Sequence, residues 1–239
     1  MIRAVIFDVD GTLVDSNELH VDAWDRAFRH FGRVFSREAL RKQIGKGADQ
    51  YMPAFLTPEE IETFGQKLDQ YRAELFKDEY LPRVRPFPGV RELLSRVKED
   101  GRKVALASSG KEQELRVYKK LLQIEDLIDC EMTSDDADRS KPEPDLFASS
   151  LHKLGDLEGK DVIAVGDTPY DAEAAGKVGI RTVGLLCGGF TGAELRAGGV
   201  VELYQDASDL LNRYTTSPLH SDLSRATGCI AAAAAESGR

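Results

Sequence analysis

The chain opens with a short apolar run, RAVIFDV (residues 3–9), that stops abruptly in a polar Asp-Gly-Thr turn. A continuous β-branched run bounded by a turn is the pattern of a strand buried on both faces of a parallel sheet. Asp15 and Ser16 then offer N-cap oxygens, and Glu18 stands three residues after Asp15. Trp24, Ala27, Phe28 and Phe31 follow at i, i+3, i+4, i+7, so the spacing predicts an amphipathic helix. A second helix is expected from Ser36, and a third over 58–76, where Ile61, Phe64, Leu68, Tyr71 and Leu75 make one stripe. Everything from 16 to 80 reads as helical.

After the proline-rich LPRVRPFPG (81–89) the period changes. Helices are expected over 90–99, 112–122, 144–154 and 171–178, and strands over 103–107, 161–165 and 181–186. Alternation at this spacing implies βαβ crossovers and a parallel sheet. Gly101 and Gly179 stand just past their helices, as C′ glycines do. The fold class expected is therefore α/β, a doubly wound parallel-sheet (Rossmann-like) core with an inserted all-helical cap. The core takes residues 1–15 and 86–213, and the cap takes 16–85. An insertion placed just after the first strand hangs over the strand ends where open α/β sheets bind ligands, the position of a lid. Residues 214–239 lose periodicity and finish in an alanine run, so a poorly ordered tail without a catalytic role is expected.

Composition narrows the class. With 239 residues, 41% hydrophobic and 31% charged, the chain suits a globular protein with one sizeable core and a smaller module. No segment approaches the roughly 18–20 apolar residues of a membrane span, and the N-terminus lacks a signal peptide's order of basic, apolar and small residues, so no membrane is expected and the cytoplasm is the expected compartment. Cys130, Cys187 and Cys229 are widely spaced and odd in number, which suggests neither a disulfide framework nor a zinc site. A net charge of −9 argues against nucleic acid as a partner. An acidic chain that handles phosphate has to place positive charge locally, in a metal ion or a few chosen side chains.

Four strings then stand out. In Phe7-Asp8-Val9-Asp10-Gly11-Thr12-Leu13 the two aspartates are i and i+2 at a strand end, so both can face one small volume. Carboxylates that close repel unless a proton or a cation intervenes, and a hard oxygen-seeking ion such as Mg²⁺ resolves the conflict. A pair of solvated loop aspartates is the bland alternative. Ser108, Ser109 and Gly110 end the apolar VALA strand and precede a helix, which is more often simply a turn. Lys141 lies in SKPEPD, on a turn stiffened by Pro142 and Pro144, although most loop lysines are merely solvated. Asp167 and Asp171 follow the strand DVIAV in GDTPYD, where Asp167 would serve equally well as a helix cap.

Taken in this order, the strings resemble the four motifs of the haloacid-dehalogenase-like hydrolase superfamily, and the resemblance spans nearly all of residues 1–213. It implies a phosphatase acting on a small phosphorylated metabolite, with Asp8 as nucleophile forming an aspartyl-phosphate and Asp10 as acid/base. It implies that Ser108 and Lys141 are catalytic, with Ser109 and Gly110 holding phosphoryl oxygens and Lys141 neutralising Asp8 and the phosphoryl group. Mg²⁺ would be held by the Asp8 carboxylate, the Asp10 backbone carbonyl and Asp167, with Asp171 in support. The insertion resembles the helical cap of one branch, that of phosphoglycolate phosphatase and β-phosphoglucomutase. His20 on its first helix and Lys46 in the glycine-flanked loop Gly45–Gln50 are the expected substrate contacts, each balanced by an ordinary surface role. Dehalogenases of the family lack the second aspartate, so Asp10 speaks against dehalogenation. The alternative is a β-phosphoglucomutase-like phosphotransferase, and a non-catalytic phospho-aspartate signalling domain is a poorer fit because it has no insertion after the first strand. Neither the metabolite nor the oligomeric state can be read from the sequence.

Overall fold

The computed structural model describes residues 1–220. Its strands are β1 (Ala4–Phe7), β2 (Val14–Asp15), β3 (Arg85–Pro86), β4 (Lys103–Ala107), β5 (Cys130–Met132), β6 (Val162–Gly166), β7 (Arg181–Leu185) and β8 (Val200–Tyr204). Six of them form one parallel sheet in the order β5-β4-β1-β6-β7-β8. β1 is central, flanked by β4 and β6, which is why its AVIF run is apolar on both faces and wholly buried. The order reverses beside β1, so the carboxyl ends of β1, β4 and β6 surround the crevice where such sheets bind ligands.

The helices are α1 (Asn17–His30), α2 (Arg37–Arg41), α3 (Ala48–Tyr51), α4 (Pro58–Glu60), α5 (Gln66–Leu75), α6 (Val90–Glu99), α7 (Glu112–Leu122), α8 (Asp145–Lys153), α9 (Pro169–Lys177), α10 (Gly192–Ala197) and α11 (Ala207–Asn212). Alternate residues of the strands supply two cores. Val5, Phe7, Val104, Leu106, Ile163 and Val165 pack with Leu93, Leu94 and Val97 of α6 and Leu115 and Tyr118 of α7. On the other face Ala4, Ile6, Ala105, Ala107 and Ala164 meet Leu146 and Phe147 of α8 and Ala174 and Ala175 of α9. Small side chains on that second face allow the helices to lie close to the sheet. The insertion carries a third core of its own, in which Trp24, Phe28, Leu40, Tyr51 and Leu68 are buried together. Each fully buried large apolar side chain stabilises by about 1.5–3 kcal/mol, so the insertion has the means to hold its own shape.

Several expectations need adjustment. The sheet has six strands where four were expected; β5 is only Cys-Glu-Met and β8 carries a half-exposed glutamate, so neither edge strand shows a continuous apolar run. The helical run that begins at Pro58, capped by the reciprocal Thr57 and Glu60 bonds, continues to Tyr80 through two π-type turns at Ile61–Gly65 and Phe76–Tyr80. The chain enters and leaves the insertion through a short antiparallel pairing, Val14 with Pro86 and Asp15 with Arg85, which helical periodicity does not announce. The expected loose tail does not begin at 214. Tyr214 and Leu219 are buried, Arg102 Nη1 donates to the Tyr214 hydroxyl at 2.8 Å, and Arg102 Nη2 donates to the His220 carbonyl at 3.3 Å. Two apolar side chains without helical period were enough to pin that segment to the first core. Residues 221–239, with Cys229, lie outside the described residues. Among the described residues no helix is long and apolar enough to cross a membrane.

Candidate active site

β1 ends where Asp8 N–H donates to the Val165 carbonyl at 2.8 Å, so the ladder with β6 holds the Asp8 backbone and its side chain emerges at the strand ends. The carboxylate is nearly buried. Its Oδ1 receives Lys141 Nζ at 2.5 Å, and its Oδ2 lies 3.0 Å from the Thr12 hydroxyl. Gly11, with φ of +79°, makes the turn that returns Thr12 beneath Asp8, a conformation that costs glycine little. Thr12 Oγ1 is also 2.8 Å from Asp167 Oδ1. One hydroxyl proton cannot satisfy two carboxylates at once, so the oxygens of Asp8 and Asp167 share an incomplete donor set.

Asp167, at the end of β6, is fully buried; its Oδ2 accepts from Asn17 Nδ2 at 2.8 Å, and the same amide donates to the Gly188 carbonyl at 2.8 Å. Carboxylate oxygens of Asp8, Asp167 and Asp171 lie within 4.8 Å of one another. Burial raises the Asp8 carboxyl to about 7 despite the neighbouring Lys141 ammonium, with the nearby Asp171 charge adding to the rise. Burial, followed by the Asp8 and Asp171 charges, pushes Asp167 well above the usual carboxylate range. Three buried carboxylates facing one ammonium are short of positive charge. An all-oxygen donor set in that state fits a small hard cation, with Asp8 and Asp167, whose Oδ2 and Oδ1 share the single Thr12 proton, the side chains to hold it. Asp171 is already engaged. Its Oδ2 accepts from the Thr168 N–H at 3.0 Å and the Thr168 hydroxyl at 2.8 Å, closing the cap of α9, and its Oδ1 pairs with Lys141 Nζ at 2.7 Å. Thr168, and not Asp167, is the N-cap residue of α9.

Lys141 is inaccessible to solvent, with a third contact to the Ala107 carbonyl at 2.8 Å. Burial opposes its charge, but Asp171 and then Asp8 raise its pKa, so the ammonium persists at neutral pH. Asp10 faces the cap. Its Oδ1 accepts from the Ser16 hydroxyl at 2.6 Å and meets His20 Nε2 at 3.0 Å. Burial acts to raise this carboxyl, but the charge and hydrogen bond of His20, aided by Ser16, bring it below the ordinary value. His20 is itself fixed by stacking on Phe76, ring centroids 3.9 Å apart and planes nearly parallel.

Opposite the aspartates, Ser108 Oγ accepts from the Gly110 N–H at 2.9 Å, just before α7. A β-carbon at Gly110 would lie 3.1 Å from Ser108 Oγ and 3.6 Å from Asp10 Oδ2, so the glycine keeps open the space between them. The Ser109 hydroxyl donates to the Gly45 carbonyl at 3.0 Å, joining core to cap loop. Lys46 Nζ donates to Gln43 Oε1 at 2.6 Å and lies 4.4 Å from the centroid of the Tyr170 ring, and burial lowers its pKa. A cavity of about 270 Å³ between cap and core is bordered by Asp8, Asp10, His20, Lys46, Ser109 and Gly110, so six of the sequence-predicted residues meet there, while Ser108, Lys141, Asp167 and Asp171 do not line it.

Thr12, Asn17, Arg72 and Glu114 are not among the residues expected from the sequence. Thr12 sits inside the first motif string. Arg72 had a legible signal, since a charged residue four positions after Leu68 falls on the buried stripe of α5. Asn17 and Glu114 had none, because their partners are 150 residues and one domain interface away.

Residues 5–185 match the family model described as haloacid dehalogenase-like hydrolase. The chain is 28% identical over 186 residues to a phosphorylated carbohydrates phosphatase of Thermotoga maritima, covering 76% of this chain and 84% of that protein. It is 30% identical over 185 residues to a putative pyrophosphatase PpaX of Caldanaerobacter subterraneus, covering 76% and 80%. The crystal structure of a hydrolase from Pseudomonas syringae superposes with a TM-score of 0.79 at 29% identity, covering 90% of this chain and 99% of that one.

Proposed function

The chain belongs to the haloacid dehalogenase-like hydrolase family, and on that premise we propose that it is a phosphatase hydrolysing a small phosphorylated metabolite through an aspartyl-phosphate on Asp8. The observation that carries the reading is the fully buried Lys141 ammonium, 2.5 Å from Asp8 Oδ1, with Asp10 held separately by Ser16 and His20. Lys141 favours the ionised form of Asp8 against the effect of burial and orients it for attack on phosphorus, and it balances charge on the phosphoryl oxygens as the bond to the leaving oxygen breaks. Ser108 and the N–H groups opening α7 hold those oxygens on the opposite side. His20 and Ser16 hold Asp10 as a carboxylate, the form that takes a proton from the water that cleaves the aspartyl-phosphate; to protonate the departing oxygen it first takes up a proton, which the negative charge of an arriving phosphate beside it favours. His20 and Ser16 hold Oδ1, which leaves Oδ2, the oxygen toward Gly110, for this work.

The oxygen donors present suit Mg²⁺, held by Asp8, Asp167 and the Asp10 backbone carbonyl, and the ion would supply charge neutralisation at the phosphoryl group. Residues 1–15 and 86–213 act as the catalytic core and 16–85 as the cap that selects the substrate. The relatives named above, a phosphorylated carbohydrates phosphatase and a putative pyrophosphatase, support this reading. The test is release of phosphate from an aryl phosphate with Mg²⁺. Asp8→Asn and Asp10→Asn are each expected to lower it at least about 10³-fold. Turnover close to wild type in Asp8→Asn would refute covalent catalysis on that residue.

A further inference from the structure

The first turn of α1 directs its polar side chains at the core and not at its own helix. Ser16 stands at the N-cap position, yet its hydroxyl caps no helix N–H and donates to Asp10 Oδ1 at 2.6 Å. His20, one turn on, meets the same oxygen at 3.0 Å. Asn17, the first residue of α1 and 5% exposed, reaches a different carboxylate: its Nδ2 donates to Asp167 Oδ2 and to the Gly188 carbonyl, each at 2.8 Å. Two acceptors on one amide nitrogen use both of its hydrogens and fix the plane of the carboxamide. Asn17 Oδ1 is buried without a partner, which costs stability, so packing alone does not account for an asparagine at this place. The close approach needs Gly11, where a β-carbon would lie 2.2 Å from Asn17 Nδ2 and 2.3 Å from Asp167 Oδ2.

Resting on the reading of Asp8 and Asp167 as cation ligands, we propose that Asn17 is a positioning residue of the metal site, holding the Asp167 carboxylate from the cap side with Oδ1 turned toward Asp8. Thr12 cannot do this alone. Its hydroxyl lies 2.8 Å from Asp167 Oδ1, but the single proton is shared with Asp8 Oδ2 at 3.0 Å, so it leaves the Asp167 carboxylate free to turn. Asn17 gives Asp167 a donor of its own, and the bond to the Gly188 carbonyl keeps that donor in place. The donor is also neutral. It orients Asp167 without cancelling the negative charge that draws a cation, whereas the Lys141 ammonium is paired with Asp8 and Asp171. A ligand whose second oxygen is held in this way is presented already oriented, and loss of such a partner lowers metal affinity about 10- to 100-fold. Because Asn17 belongs to the cap, the linkage runs in both directions: the factor that its bonds add to metal affinity is the factor by which a bound metal resists opening of the first turn of α1.

The experiment measures metal binding by the full chain, from the electron paramagnetic resonance signal of free Mn²⁺, an ion that suits the same oxygen donors as Mg²⁺. Asn17→Leu keeps the bulk of the side chain without its donors, and Asn17→Ala removes it beyond the β-carbon. Each is expected to raise the Mn²⁺ dissociation constant about 10- to 100-fold, and the Mg²⁺ concentration that half-activates release of phosphate from an aryl phosphate should rise in step. Saturating Mg²⁺ is expected to slow hydrogen exchange at the amides of residues 20–24 of the wild type by about 10- to 100-fold, and to leave it nearly unchanged in the variants. A purely structural role for Asn17 would lower the melting temperature of the metal-free variants and move neither quantity. Variants that bind Mn²⁺ within about 3-fold of the wild type, or wild-type exchange at 20–24 that ignores Mg²⁺, would overturn the role of Asn17 and leave the phosphatase reading standing. Should neither variant fold, exchange in the wild type decides. A wild type that binds no Mn²⁺ would overturn the cation site itself, and the role of Asn17 with it.

Discussion

Replacing Lys141 by Met tests the electrostatic centre of the site directly. The side chain keeps a similar length and loses the ammonium, which leaves Asp8 and Asp171, both buried, without the charge 2.5 and 2.7 Å away and leaves the Ala107 carbonyl without its 2.8 Å donor. Breaking a buried ion pair by removing one partner costs about 3–5 kcal/mol, and an orphaned buried acceptor adds roughly 1–3. Against a stability of about 5–15 kcal/mol the variant should still fold, but marginally. The loss must also depend on pH. Removing Lys141 raises the folded-state pKa of Asp8 further above its unfolded value, so the folded variant binds a proton that its unfolded chain releases. Stability conferred by that proton is present below about pH 4 and is lost as pH rises through the raised Asp8 value, which is about 7 in the wild type. Urea unfolding of the Mg²⁺-free proteins is therefore expected to show a destabilisation of at least about 3 kcal/mol at pH 7.5 and a clearly smaller one at pH 5.0. A loss under about 1 kcal/mol, or one equal at the two pH values, would refute the argument that Lys141 compensates buried carboxylates.

Two further perturbations probe the same carboxylates. Gly188 has no room for a side chain, since a β-carbon would stand 1.7 Å from Asp167 Oδ2. Gly188→Ala is expected to displace Asp167, cost about 1–3 kcal/mol and weaken the Mg²⁺ dependence of activity at least about 10-fold while the far-ultraviolet dichroism stays unchanged; unaltered Mg²⁺ titration would count against Asp167 as a ligand. Because burial, and then the charges of neighbouring carboxylates, raise the Asp8 and Asp167 pKa values, protons compete with a cation for these oxygens. Saturating Mg²⁺ should accordingly raise the melting temperature more at pH 8 than at pH 5.5, and a shift independent of pH would argue that the ion binds elsewhere.

Much of this molecule is legible in its amino-acid pattern. The AVIF run and the later alternation of short helices and strands determined a parallel α/β sheet, since only a strand covered on both faces tolerates an apolar residue at every position. Asp8 and Asp10 could be placed at one strand end from their spacing, and Ser108, Lys141 and Asp167 from their positions after apolar runs or on a proline-bounded turn. The edge strands escaped because three residues, or a run broken by glutamate, carry too little period to separate from a loop. What required tertiary structure was every relation between distant segments. Nothing local in Asn17 announces that it will bond Asp167, and nothing in Glu114 announces an arginine of the cap. Periodicity reports which face of an element is buried, because burial acts on each side chain in turn. It is silent on which polar atoms meet across the chain, because that depends on where the folded sheet and the cap bring them.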